Sequence, residues 1–290
     1  MSNIPEISEE IKSIKSLENL VNAYEEISSI RMKNNRDRVL ENRNYQNQIN
    51  AIFDQVRLSY SQEIERLAKK KGGQKQITFI PHNGKTVAVL LSANAGLYGE
   101  VISKTYNLFI NDIRNSNSEI TIIGRYGLSL YLSEEMGKPY SFFDLPDYGD
   151  DLVELGKIVN HVVQYDEIDI YFGEFKNIIK QDPVKLTVSS RIDLSQKPGQ
   201  VKVAYMFEPS LEKILMYFET QIFASLFQQS VDESRLAKYA SRFVAMDRAR
   251  NNIDIELKKM NFIRNRLVHN IQNRKQLGIM SSVYASSNVK

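Results

Sequence analysis

The chain has 290 residues, 38 basic against 35 acidic side chains and a formal net charge of +3, a mild balance that does not announce a nucleic-acid binder. It has no cysteine, which excludes disulfides, thiolate metal centres and cysteine catalysis. Its opening, MSNIPEISEEIK, lacks the basic-then-apolar order of a signal peptide, and no apolar run approaches the roughly 20 residues of a membrane span, so a membrane role is expected to pass through a partner.

From about Ile7 to Lys71 the chain lacks glycine and proline, which predicts one long helix. Apolar residues at Ile11, Ile14, Leu17, Val21, Tyr24, Ile27 and Ile30 step by three and four, the spacing of one helix face. After the polar stretch RMKNNRDR the stripe resumes at Val39, Tyr45, Ile49, Ile52, Val56 and Tyr60. Lysines and glycines at 69–73 supply the cationic, glycine-bearing close that a helix C-terminus prefers.

The middle, about 74–203, has a different texture. ITFI at 77–80, VAVLLS at 87–92, ITIIG at 120–124 and IDIYF at 168–172 read as strands, with helical patterns at roughly 98–114 and 148–163. Strands alternating with helices predict βαβ units and a parallel sheet. VKLTVSSRIDL at 184–194 and VKVAYMF at 201–207 are expected to form a closing hairpin around SQKPGQ.

From about Glu208 to Met280 a second long helix is expected, with Pro209 at its first turn. Tyr239, Met246, Ile253, Met260 and Leu267 recur every seven residues. Leu236, Phe243 and Leu257 form a companion series, interrupted by Arg250 and Arg264. A seven-residue repeat makes a narrow seam for a partner helix. The expected architecture is therefore α/β with long helices. An antiparallel coiled coil of the N- and C-terminal helices (1–73 and 207–290) carries a Rossmann-like α/β domain (74–206).

No active site is legible. HNGKT at 82–86 holds the end of a phosphate loop but precedes its strand and lacks the upstream glycine, so it reads as a strand-leading turn. SANAGLYGE at 92–100 does follow a strand, and Gly96 and Gly99 are the candidates for a phosphate cradle. Without the full dinucleotide fingerprint, tight strand-to-helix packing is the plainer reading. His82, His161 and His269 have no second ligand at metal spacing. In DLPDYGDD at 144–151, Asp150 and Asp151 are expected to cap a helix, with an oxygen-ligand metal site as the sharper alternative. No metal and no cofactor is expected.

Several strings in order resemble one family. SANAGLYG at 92–99 resembles a signature close to SDRGLCGG in the gamma subunit of F-type rotary ATP synthases. IIGRYG at 122–127, YFGEFKNIIKQDPV at 171–184, YMFEPSLEKIL at 205–215 and SRFVAMDRARNNI at 241–253 are similar to its later segments. IKSIKSLENLVNAYEEISSIRM at 11–32 resembles its first helix. The resemblance covers nearly the whole chain. It implies a non-catalytic rotor shaft inside a ring of alpha and beta subunits, above an epsilon-like subunit and a membrane ion-driven ring, peripheral to the cytoplasmic face of the cell membrane. No nucleic acid is implied. Arg31, Met32, Arg242, Met246 and Asn265 become candidate contacts to the ring, with the helix seam as the alternative for Met246. The sequence departs from the family where Glu25-Glu26 replaces a Lys-Met pair, and at Val268, His269 and Lys275 near the second helix's end. These departures are compatible with a gamma-like shaft of a specialised ATPase of wall-less bacteria, for example a gliding motor. A non-motor coiled-coil scaffold, a nucleic-acid binder and an enzyme built on the Gly96–Gly99 turn are the remaining alternatives.

Overall fold

The computed structural model of the chain describes residues 4–59, 76–77, 82–149, 151–189, 192–193 and 210–287. The chain divides into two compact units, Met1–Ser28 with Phe243–Lys290, and Ser29–Arg242. The division falls within both long helices, α1 (Ile4–Ser59) and α5 (Leu211–Ser287). The expected close of the first helix at 69–73 and the expected Pro209 start of the second lie outside the described residues. Ser210 caps α5, its hydroxyl accepting from the Lys213 amide at 3.4 Å.

The buried face of α1 keeps a strict seven-residue repeat. Ile7, Val21, Ser28, Asn35 and Val56 are buried on one row, and Ile11, Val39 and Phe53 on its companion. The expected stripe is corrected at Leu17, Ile27, Ile30, Tyr45 and Ile52, which are exposed. Following apolar residues alone leads off the true face, because that face carries Ser28 and Asn35 where an aliphatic residue would have marked it.

In the smaller unit, Val21, Met246 and Ile253 form a core, with Ile14, Tyr24, Ala249 and Leu257 packed against it. The expected seam residues Met246 and Ile253 are therefore buried, and Met260 and Leu267 are half-buried. Arg250 does not break the seam: its guanidinium reaches Glu25 at 3.0 Å and Asp247 at 2.8 Å. Glu25, a departure from the family pattern, thus has a partner inside the chain.

In the larger unit the two helices run antiparallel. Asn35 and Asn42 both meet Asp232, and Phe53 meets Phe218 at a ring distance of 5.7 Å. The same unit holds a five-stranded sheet in the order β4-β3-β2-β5-β6. Its strands are β2 (Thr86–Leu91), β3 (Glu119–Ile123), β4 (Tyr140–Phe143), β5 (Glu167–Phe175) and β6 (Gln181–Ser189). The first four are mutually parallel, and β6 runs antiparallel to β5. β1 (Gln76–Ile77) pairs with β7 (Ile192–Asp193) in a separate two-stranded ladder.

Alternation along the strands sorts side chains onto the two faces. Ala88, Leu90, Ile120, Ile122 and Tyr171 pack on Tyr106, Phe109, Ile110 and Ile113 of α2 (Val101–Arg114). Val87, Val89, Ile168 and Ile170 pack on Ile158 and Val162 of α4 (Leu152–Val162) and on Phe223, Phe227 and Val231 of α5. The first stretch of α5 is thus a core helix of the sheet.

The sheet departs from expectation in two respects. The sheet is mixed, not purely parallel, because 181–189 folds back on β5 through the turn at 176–180. The expected partner of that strand, 201–207, lies outside the described residues. Strand β4 and the nine-residue helix α3 (Arg125–Ser133) were not expected. Both are short, and neither YSFF nor RYGLSLYLS is long enough for a period to stand out.

Candidate functional site

In open α/β sheets, ligands bind outside the carboxyl ends of the strands where the strand order reverses. Here the reversal lies at β2, with β3 on one side and β5 on the other. Its rim is built by Ser92–Glu100 after β2, Gly124 after β3, and Asp144–Gly149 after β4. A crevice of this kind would have to receive the phosphate of any nucleotide held by Gly96 and Gly99.

One face of α5 occupies this rim. Arg235, Lys238, Tyr239 and Arg242 are spaced at i, i+3, i+4 and i+7, which places them on one side of a helix. All four are buried. Arg235 donates to the Pro146 carbonyl at 3.0 Å. Lys238 donates to the Ser92 carbonyl at 2.8 Å and to the Asp147 carboxylate at 3.1 Å. The Tyr239 hydroxyl donates to the Asp147 carbonyl. Arg242 donates to the carbonyls of Gly96 and Leu97, and its guanidinium lies 3.7 Å from the Tyr98 ring centroid.

The Asp147 carboxylate is the centre of the contact. Besides Lys238 it accepts from the amides of Asn94 and Ala95 at 2.9 and 3.0 Å. Burial alone would raise its pKa, but the Lys238 ammonium and these amide donors outweigh burial and hold it below the usual aspartate range. Burial, which outweighs the attraction of Asp147, pushes Lys238 below the usual lysine range. Burial also raises the phenols of Tyr98 and Tyr239, keeping them protonated as donors.

Of the two glycines of the turn, Gly99 has a packing role. Gly99 has φ +60, and a Cβ there would lie 2.6 Å from the Ser241 hydroxyl of α5. Gly96 has open space around it. Gly99→Ala is therefore expected to destabilise the larger unit by more than about 1 kcal/mol, from left-handed backbone strain and the clash. Gly96→Ala should stay within about 0.5 kcal/mol, as for an unconstrained surface site. Urea titrations of the two variants check this, and equal losses would refute the packing role of Gly99. Gly99 is held as glycine by the helix that lies on it, whereas nothing packs on Gly96.

The remaining candidates are accounted for singly. The turn at 82–85 leads into β2, with the Gly84 amide on Asp166 at 3.0 Å and Lys85 on Glu119 at 2.6 Å. Asp144 pairs with Arg125, and Asp151 caps α4 by accepting from the Glu154 amide at 2.9 Å. His82 lies 3.9 Å from Glu219, His161 lies 3.1 Å from the Thr121 hydroxyl, and His269 is exposed on α5. Among the described residues no group of three or more His, Cys, Asp or Glu side chains could hold a metal ion. Asp150 lies outside them.

Of the five candidate ring contacts, Arg31 is half-buried with its guanidinium 4.4 Å from the Tyr148 ring centroid. Met32 packs on the cluster of Ala93, Tyr98, Val101, Ala237 and Tyr239. Arg242 and Met246 are buried inside their respective units, and Asn265 is exposed. The structure brings Arg31, Met32 and Arg242 around Tyr98 and Tyr239. Sequence reasoning missed Arg235 and Lys238, and placed Asp147 only within the acidic stretch 144–151 as part of an alternative metal site. The available signal was a row of three cations and a tyrosine on one helical face, and their partner is some ninety residues away in sequence, the separations being 91 and 92 for Lys238 and Tyr239.

These features define a class of protein: long, antiparallel-paired helices joined to an α/β sheet whose ligand crevice is taken by the chain's own helix. A family model described as ATP synthase matches residues 3–268. The chain belongs to the ATP synthase gamma family. A curated relative from Mesoplasma florum, an ATP synthase gamma chain, is 25% identical over 258 residues, covering 87% of each chain. The gamma chain of Pelotomaculum thermopropionicum is 23% identical over 278 residues, covering 92% of this chain and 93% of that one. The rotor of the Euglena gracilis mitochondrial ATP synthase in rotational state 1 matches in fold with a TM-score of 0.62 at 14% identity, over 92% of this chain and 98% of that one. The central stalk and c-ring structure of the Tetrahymena thermophila mitochondrial enzyme gives 0.55 at 20% identity, over 79% and 99%.

Proposed function

We propose that this chain is the central shaft of an F-type ATPase, coupling rotation to ATP synthesis or hydrolysis carried out by a ring of alpha and beta subunits. The family match across residues 3–268 carries the reading. The occupied crevice supports a non-catalytic part: the place where an α/β sheet would hold a nucleotide is filled by Lys238 and its neighbours. The mechanism is differential contact. A shaft that fits one set of ring conformations better at each angle shifts the affinity of each ring site in turn.

The partners proposed are alpha and beta subunits, an epsilon-like subunit and a membrane ion-driven ring. A peripheral position on the cytoplasmic face of the cell membrane, held through those partners, is part of this proposal; among the described residues no helix is long and apolar enough to cross a membrane. Arg31, Met32 and Asn265 carry exposed surface toward the ring. A contact by Arg242 or Met246, both buried, requires them to turn outward at particular rotor angles. Val268 and His269, where the chain departs from the family pattern, favour a second reading, a gamma-like shaft in a specialised ATPase with altered tip contacts.

Purification of the tagged chain from its native cell tests both readings. Recovery of alpha, beta and epsilon-like subunits is expected, with ATP hydrolysis present in that complex and absent from the isolated chain. Recovery of ring subunits without any membrane-ring component would support the specialised shaft. Recovery of the chain alone, or with nucleic acid, would overturn the shaft reading.

A further inference from the structure

One groove of the larger unit has chemistry that the packing of the fold does not use. The turn at 176–180 stands beside α1, and between them lies a half-open cavity of about 740 Å³. Met32, Phe175 and the buried Leu236 line it with apolar surface. The tip of the turn adds Ile178 and Ile179, which are 43% and 80% exposed. The charged lining is Lys33, Arg36 and Lys176 against one acid, Asp37.

The turn is a fixed wall. The Asn177 side-chain oxygen accepts from the amides of Ile179 and Lys180 at 3.0 and 2.8 Å. The Lys180 carbonyl accepts from the amides of Lys176 and Asn177, and Gln181 donates to the carbonyls of Asn177 and Ile178. These bonds hold two isoleucines out in water rather than in the core. On the facing side Ser29, Met32, Lys33, Arg36 and Asp37 recur at helical spacing, so a stripe of α1 about 12 Å long borders the groove. Lys176 reaches Glu174. Among the described residues neither Lys33 nor Arg36 has an ion pair, and both are exposed.

Unpaired cations beside apolar surface suit a ligand with an anionic head and a hydrocarbon tail. A cavity of this size holds one small molecule. The planar fork of Arg36 matches a carboxylate at two points, and methionine adapts its shape to a flexible chain. A sugar or a nucleobase would need polar partners for its edges, and Met32, Phe175 and Leu236 offer none. We infer that this groove binds a single-chain amphiphilic anion, a free long-chain carboxylate, with its head at Lys33 and Arg36 and its tail on Met32, Phe175 and Ile178. The inference does not rest on the shaft reading, since the groove belongs to the chain by itself.

The test titrates the full-length chain with sodium dodecanoate by calorimetry. Saturable one-to-one binding is expected. Each methylene taken from water strengthens binding by up to roughly fourfold, so decanoate should bind on the order of tenfold more weakly, and butyrate should give no signal. K33Q/R36Q should weaken dodecanoate binding by about tenfold or more, the effect of losing a hydrogen-bonded charge, at an unchanged melting temperature. I178S/I179S should weaken it as well. Equal binding by wild type and K33Q/R36Q, or dodecyltrimethylammonium binding as tightly as dodecanoate, would overturn the site by showing unselective adsorption of hydrocarbon. Retention of the chain on phosphatidylglycerol vesicles, lost in K33Q/R36Q and without saturable dodecanoate binding, would overturn it in favour of a membrane surface. Binding of an acidic amphipathic peptide but not of dodecanoate would overturn it in favour of a protein partner. None of these outcomes depends on which subunits the chain recovers from its native cell, so failure of the site and failure of the shaft reading are separate results.

Discussion

Lys238→Met is expected to destabilise the larger unit by about 3–5 kcal/mol, the usual effect of removing one partner from a buried charge pair. Lys238 is fully enclosed between the Ser92 carbonyl and the Asp147 carboxylate. Methionine fills the volume but leaves that carbonyl and carboxylate short of a donor. For a unit of this size about 1 kcal/mol shifts a melting midpoint by roughly 2–4 °C, so a fall on the order of 10 °C should be seen. Asp147→Asn in the Lys238→Met background should recover much of the loss, because the uncompensated charge is gone. Absence of any fall in Lys238→Met would show that the contact contributes nothing to stability.

The pair also fixes the sign of an acid response. The folded pKa of Asp147 is depressed, so the stability it contributes is fully present above the unfolded aspartate value of about 3.9 and is lost as pH falls through the lower folded value. Without the ammonium the carboxylate is held by two amides against its own burial, and its folded pKa rises. Acid unfolding of Lys238→Met should therefore begin at a higher pH than in wild type. Circular dichroism across pH 2 to 6 checks the direction, and coincident acid transitions would refute it.

The second large effect belongs to the smaller unit. Met246→Lys places an ammonium among Val21, Ile253, Ile14 and Leu257. Loss of buried methionine contacts alone costs about 2–5 kcal/mol, and the charge must either be desolvated or snorkel out of the seam. Because the chain has two units, one overall unfolding energy is not well defined. The measurement is instead hydrogen exchange of the amides at 14–24 and 246–257, where protection should fall by at least tenfold. Met246→Leu keeps volume and polarity and should cost less than about 1.5 kcal/mol. Unchanged protection in Met246→Lys would remove the seam assignment.

How far the sequence could be read depended on the kind of interaction. Met246, Ile253 and the helical period around them were legible, because a seven-residue apolar repeat needs no knowledge of the partner. The parallel strands β2, β3 and β5 were legible as β-branched runs, buried on both faces by α2 on one side and α4 and α5 on the other. The row on α1 was misread at Ile27 and Ile30, because its buried positions include Ser28 and Asn35, which look like surface residues until their partners are known. Lys238 and Asp147 were illegible for the same reason. A buried charge is recognised only with its counter-charge, and here that partner comes from a loop far back in the chain.

Asn35 and Asn42 have a consequence for how the helices find their alignment. Both amides donate to Asp232, one to its carbonyl and one to its carboxylate, and Arg43 reaches the adjacent Glu233 at 2.9 Å. A shift by a full heptad, about 10.5 Å along the axis, would still set most aliphatic side chains against one another. Because Asn35 and Asn42 are themselves seven residues apart, it would leave Asp232 with one asparagine where it now has two. The greasy contacts supply adhesion that tolerates slippage, and these few polar teeth make one setting of the two rods distinguishable from its neighbours.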